Sequence, residues 1–179
     1  RKLNLRDPAG NATAHRPMLL EDLCALIANG GAIAPAAVLQ LDLKEDAPAI
    51  DAAVIKTFAA SVTPVARHFI LSGGDAIAIG RLAEAVPVLP MGYDPCHAGA
   101  IDRLRASRDF AGFVATALNA FPRAGMIYLD YRLVLFAAEH GFDLIAALHA
   151  AGKTIDAYTL TRADAATAAI AKQLLALKV

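Results

Sequence analysis

The sequence predicts an α/β fold built on a parallel sheet, folded as a single domain over residues 1–179. Two observations carry this reading. Short apolar runs of strand length alternate with segments of helical spacing, the order that makes β-α units and a parallel sheet. The chain also holds no low-complexity segment, flexible linker or repeat that would divide it. An open doubly wound sheet and a closed barrel both satisfy the alternation. The dinucleotide-binding form of the open sheet needs G-x-G-x-x-G after its first strand, and that motif is missing; Gly73-Gly74 alone is a turn signal.

After a polar opening (Asp7-Pro8, Gly10-Asn11), a helix is predicted from about Pro17. Proline suits a first helical position, where its missing N–H costs nothing. Glu21 and Asp22 then favour the helix dipole, and Leu20, Leu23, Cys24 and Ile27 fall on one face. Asn29-Gly30-Gly31 stops it, with glycine expected in the left-handed cap. Val38 to Lys44 alternates apolar and polar residues and reads as a short strand. Asp46 and Pro48 open a second helix with Ile50, Val54 and Phe58 on one side. His68 to Ser72 is the second strand, ended by Gly73-Gly74-Asp75, where Asp75 can cap the next helix. Val86 to Met91 is predicted as a third strand, although Pro87 and Pro90 oppose it. Helices around Ile101 to Ser107 and Phe110 to Phe121 lead to a fourth strand, Met126 to Leu129. Two more, Leu133 to Glu139 and Asp143 to Ala150, stop at Gly141 and Gly152. Thr154 to Leu160 is the fifth strand, and Asp164 caps a last helix to about Leu177.

Composition narrows the function classes. The chain is 57% hydrophobic and 19% charged, with no Trp. A spanning helix needs about 20 predominantly apolar residues. The longest candidate, Phe110 to Phe121, is shorter and carries Asn119, so no membrane insertion is expected and the chain reads as soluble. A cytoplasmic location is expected, with a periplasmic one kept open. Seventeen basic and seventeen acidic residues cancel, leaving no basic stripe for nucleic acid. Contact with a phosphate must then be local. Cys24 and Cys96 make no disulfide framework; Cys24 reads as a small buried hydrophobe, and Cys96 sits in a loop.

The segment Leu39 to Lys44 is the most informative. Side chains alternate across a strand, so Leu39, Leu41 and Leu43 share one face while Gln40, Asp42 and Lys44 share the other. In a barrel the leucines would meet the helices. The polar set would point inward at the C-terminal mouth, where barrel enzymes place their chemistry. A carboxylate two residues from an ammonium suits a hard cation beside an anionic substrate. A simple ion pair at an exposed sheet edge accounts for the same spacing equally well.

Four segments together resemble the glycerophosphodiester phosphodiesterase family. Leu39-Gln40-Leu41-Asp42-Leu43-Lys44 is similar to that family's third-strand motif, apolar-x-apolar-Glu-apolar-Lys. Pro17 to Leu23 resembles its P-x-L-x-E-x-L helix, and Ile70-Leu71-Ser72 its fourth-strand segment. His149 to Lys153, leading into Asp156 to Thr161, is similar to the seventh-strand G-x-x-V-x-x-W-T-V-N. The resemblance implies a parallel (β/α)8 TIM barrel of the PLC-like phosphodiesterase type, of which these residues cover about strands three to seven. It also implies metal-dependent hydrolysis of a small-molecule glycerophosphodiester to glycerol 3-phosphate and an alcohol, in bacterial lipid metabolism. Asp42 would take the place of a glutamate that binds Mg2+ or Ca2+, a departure in side-chain length. Lys44 would lie against the phosphate, Ser72 would match the strand-end serine, and Tyr158 would stand for the tryptophan walling the glycerol or alcohol side.

The family's first-strand His-Arg-Gly, its Glu-x-Asp and His-Asp, and its closing Thr-Asp are not found. His15-Arg16 is followed by Pro17 and is rejected as catalytic. His140 and His149 read as capping or solvated, His68 as structural, and His97 lacks partners at zinc-ligand spacing. The opening Arg1-Lys2-Leu3, without Met, and the apolar edges an incomplete barrel would leave suggest that further residues complete it. The alternative is a non-catalytic fragment or binding domain of the same fold. Alanine-rich helices leave an oligomer open.

Overall fold

The computed structural model describes residues 3–30, 34 and 37–179. Thirteen regular elements follow in order: α1 (Leu20–Asn29), β1 (Leu39–Leu43), α2 (Ala52–Val62), β2 (Phe69–Gly73), α3 (Ala76–Ala85), β3 (Gly92–Tyr93), α4 (Ala100–Ser107), α5 (Phe110–Ala120), β4 (Met126–Asp130), α6 (Tyr131–Glu139), α7 (Leu144–Ala150), β5 (Thr154–Tyr158) and α8 (Ala165–Ala176).

Every strand pairing among these elements is parallel: β1 with β2, β3 with β4, and β4 with β5. The ladder of two and the ladder of three are joined by backbone bonds. Leu71 N–H donates to the Pro90 carbonyl at 3.0 Å, and Asp94 N–H to the Gly73 carbonyl at 2.9 Å. Strands adjacent in space are therefore adjacent in the chain, with helices in every connection. The doubly wound alternative requires a reversal of strand order, and none occurs. The described residues form an open run with β1 and β5 at its edges; a closed eight-stranded barrel is not present among them.

The two faces of the sheet differ sharply. Phe69, Leu71, Ile127 and Leu129 point to the helices and are almost wholly buried. There they join Val62, Ile79, Leu133, Ile145 and Leu148 in one core. Burying such side chains contributes about 1.5–3 kcal/mol each before chain entropy is set against it. The other face carries Gln40, Asp42, Ser72, Gly92, Tyr128, Asp130, Asp156 and Tyr158, following the two-residue period of a strand. The sheet thus has one apolar face under helices and one largely polar face.

Among the described residues, six of the eight α-helices are N-capped by an aspartate side chain: Asp51, Asp75, Asp109, Asp130, Asp143 and Asp164. Each carboxylate accepts an N–H that the first turn cannot otherwise satisfy. Much of the acidic content thus serves the scaffold. Gly141 and Gly152 end α6 and α7 with φ of 78° and 74°, as the sequence predicts.

Several boundaries differ from expectation. The first helix begins at Leu20, with Pro17 in the extended segment ahead of it. Gly30 ends it at φ −90°, not left-handed, and Gly31 lies outside the described residues. Asp46 and Pro48 belong to a 3-10 turn over Ala47–Ala49, and the second helix is opened by Asp51, which accepts from Val54 N–H at 2.8 Å. Val54 is exposed, so Ile50 and Phe58 lack its company in the core. His68 ends a 3-10 turn (Thr63–His68) instead of opening β2. The third strand is not Val86 to Met91. Two prolines without donors break that run, leaving a turn, a bridge at Met91 and the short β3. The fifth strand ends at Tyr158, before Leu160.

No single described helix is long and apolar enough to cross a membrane; α6 and α7 reach that length together but meet at a 104° bend.

Candidate functional site

A cavity of about 250 Å³ opens on the inner face at the C-terminal ends of the strands. It is lined by Gln40, Asp42 and Lys44 from β1 and its exit, Ser72 from β2, Asp94 just after β3, Tyr128 from β4, and Tyr158 and Thr159 from β5 and its exit. All four residues singled out in the sequence, Asp42, Lys44, Ser72 and Tyr158, line this one cavity. Parallel pairing brings this about. Asp42 stands in register with Ser72, and Tyr128 with Asp156, so strand ends distant in sequence share one rim.

Three polar pairs organise the rim. Lys44 Nζ lies 2.7 Å from Asp42 Oδ2, with the lysine side chain 76% exposed. An exposed pair of this kind stabilises a fold by about 0–1 kcal/mol. The edge ion pair allowed by the sequence is therefore present, and it stands at the cavity mouth. Gln40 Nε2 donates to Ser72 Oγ at 2.8 Å. Ser72 is buried, and its hydroxyl is engaged with Gln40. Tyr158 O–H donates to Asp94 Oδ2 at 2.8 Å, while Asp94 Oδ1 accepts from Cys96 N–H at 2.8 Å.

Both tyrosines hold their protons firmly. Burial first, then the Asp156 and Asp42 carboxylates, push the Tyr128 hydroxyl up to about 12. Burial and then Asp94 raise the Tyr158 hydroxyl well above its ordinary range. Near neutral pH these groups can donate hydrogen bonds and present ring faces, but cannot act as bases. Gly92 makes room for Tyr128: a Cβ there would overlap the tyrosine ring edge and stand 3.4 Å from Ser72 Cβ.

Behind the rim, Arg132 grips Asp130 through bidentate hydrogen bonds and an ion pair, holding the Asp130 carboxyl below its ordinary range against burial. Cys96 accepts from Asp130 N–H through sulfur at 3.4 Å. Burial pushes its thiol up to about 12, so it is an inert anchor for the loop that carries Asp94.

A hard divalent cation takes six or more oxygen ligands. The cavity lining offers the carboxylates of Asp42 and Asp94, and no group of three His, Cys, Asp or Glu side chains within ion-holding reach occurs among the described residues. These residues alone do not fit a resident metal.

The histidines stand elsewhere. His140 Nδ1 lies 2.8 Å from the Phe136 carbonyl at the end of α6, and His149 is in the last turn of α7. His68 is buried below β2, its Nε2 accepting from Arg67 Nε at 3.0 Å. His97 lies against Gly74 and lines a different hollow of about 340 Å³, with Arg103, Leu104 and Phe113. That larger hollow lies among the loop after β3, α4 and α5, and gathers none of the four singled-out residues.

Asp94, Tyr128 and Thr159 were not singled out in the sequence. Tyr128 had a signal, a polar handle at an inward position of the fourth strand. Asp94 carries no such signal, because the apolar run Val86 to Met91 predicts the third strand ahead of Gly92–Tyr93, the strand that Asp94 follows.

No family model matches the chain, and no curated protein matches it. Among solved structures, a protein assigned as a glycerophosphoryl diester phosphodiesterase from Silicibacter pomeroyi DSS-3 is similar at a TM-score of 0.46 and 21% identity. The match covers 92% of this chain and 59% of that one, so the chain spans somewhat over half the length of its structural neighbour.

Proposed function

We propose that the cavity at the strand ends binds a glycerophosphodiester and serves its hydrolysis to glycerol 3-phosphate and an alcohol. One observation carries this reading: Asp42, Lys44, Ser72 and Tyr158, drawn from three strands, meet at the C-terminal rim of a parallel sheet with a polar inner face. In it, the Lys44 ammonium neutralises the phosphate oxygens, on which charge grows as water attacks phosphorus, the bond to the alcohol oxygen breaks and the water's proton passes to the departing alcohol. Gln40 and Ser72 form a hydrogen-bonded floor, and Tyr158, held by Asp94, walls the alcohol side.

Metal dependence on Mg2+ or Ca2+ belongs to the proposal through the motif resemblance, with Asp42 as this chain's ligand. A second reading, diester binding without turnover, is favoured by the lining itself, which holds two protonated tyrosines and no histidine.

The test is 31P NMR of glycerophosphocholine with the purified protein, with Mg2+, Ca2+ or EDTA. Release of glycerol 3-phosphate that needs a metal supports hydrolysis; binding without release supports the second reading. Lys44→Ala should lower kcat/KM or affinity by about ten- to a hundredfold with an unchanged unfolding midpoint. Indifference to that substitution contradicts both readings.

A further inference from the structure

Among the described residues the cavity lining carries two carboxylates, Asp42 and Asp94, against one cation, Lys44, and this bears on which alcohol it accepts. Lys44 stands at the β1 exit, already paired with Asp42. The opposite side is anionic and aromatic: Asp94 follows β3, and Tyr128 and Tyr158 project from β4 and β5. Asp156 shares the inner face beside Tyr128, close enough for its charge to act on the Tyr128 hydroxyl. The β1 and β3 ends are two strand spacings apart, roughly 10 Å.

A phosphate held at Lys44 therefore presents its alcohol to the side that carries Tyr128, Tyr158 and the Asp94 carboxylate. A neutral alcohol gains little from that surface, and an anionic one is repelled. A cation is attracted twice, by the ring faces and by the carboxylate charge. Arg132, the nearby cation behind the rim, is neutralised by Asp130 and does not offset this field.

From this arrangement we infer that the cavity selects diesters whose alcohol carries a positive charge, a quaternary or primary ammonium, with Asp94, Tyr128 and Tyr158 as the discriminating residues. The inference rests on the proposed glycerophosphodiester reading and adds the charge of the leaving alcohol.

Titration calorimetry at pH 7 and low salt, with glycerophosphocholine, glycerophosphoethanolamine, glycerophosphoglycerol and glycerol 3-phosphate, tests it. The two diesters with cationic alcohols should bind about tenfold more tightly than glycerophosphoglycerol. Asp94→Asn and Tyr128→Leu should each cut that ratio to about two- or threefold. An unchanged thermal unfolding midpoint in each variant guards against misreading a folding defect. Lys44→Ala should weaken all diesters alike and leave the ratio intact. Equal affinity for glycerophosphoglycerol and the diesters with cationic alcohols overturns the charge selectivity while leaving the proposed function standing. Binding of none of the four ligands overturns both.

Discussion

The inner face of the sheet depends on residues that contribute by their size and their fixed partners. Gly92 is one. An added methyl there meets the Tyr128 ring edge, so Gly92→Ala must either displace the ring or strain the strand. A loss of about 1–3 kcal/mol in urea unfolding is expected, typical of overpacking. If the ring yields instead, stability holds and ligand affinity falls; no change in either quantity contradicts the contact. Asp130 is the second. Arg132 holds its carboxyl below the ordinary value near 3.8. A depressed carboxylate stabilises the fold fully above its unfolded pKa, and that contribution is lost as pH falls through the lower folded value. The unfolding midpoint should therefore drop below about pH 4, and Asp130→Asn should remove much of this acid sensitivity while lowering stability at pH 7. Equal slopes for the two proteins would falsify the pairing as a source of acid lability.

At the level of elements, aspartate caps and parallel pairing set where the site lies. Asp75 shows how much one cap can do. Its carboxylate accepts from Ile77 N–H and Ala78 N–H at the start of α3, and from Ala47 N–H across the β1–α2 connection. Asp75→Ala should cost about 1–2 kcal/mol by denaturant titration, the upper range for a lost cap, because a third N–H is orphaned with it. A loss below about 0.5 kcal/mol would show that water replaces the carboxylate at little cost. That cap was legible in the sequence, as were the alternation at Leu39 to Leu43, the stops at Gly141 and Gly152, and the cap at Asp164. Each follows from chemistry contained within a few residues. The third strand was not legible in the same way. Its apolar run, Val86 to Met91, has strand composition but contains two prolines, and pairing fell instead to Gly92 and Tyr93, which burial against β4 selects. Because Asp94 is placed by that pairing, the acidic side of the cavity stayed hidden while Asp42 and Lys44, on a clean alternation, did not.

Across the whole molecule, burial is graded along the sheet, and the site straddles the gradient. β4 sits between two strands under helices, and Ile127 and Leu129 are fully buried. β1 is an edge with one partner, and Leu39 at its start is 43% exposed. Local opening costs least where few apolar contacts must be broken. Amide hydrogen exchange should therefore show the β4 amides protected to nearly the global stability, and the β1 amides exchanging faster by several orders of magnitude. Asp42 and Lys44 ride on this looser edge and Tyr158 on the opposite edge, β5, while Tyr128 belongs to the central β4. A diester spanning from Lys44 to Tyr158 would tie the two ladders together and bind only the closed form of β1. Saturating ligand should then slow exchange in β1 selectively, since a ligand at a hundred times its Kd adds about 2.7 kcal/mol to any opening that abolishes its site. Protection that rises in β1 but not in β4 would place the ligand across both ladders. A uniform rise, or one confined to α4 and α5, would move it away from the strand-end cavity.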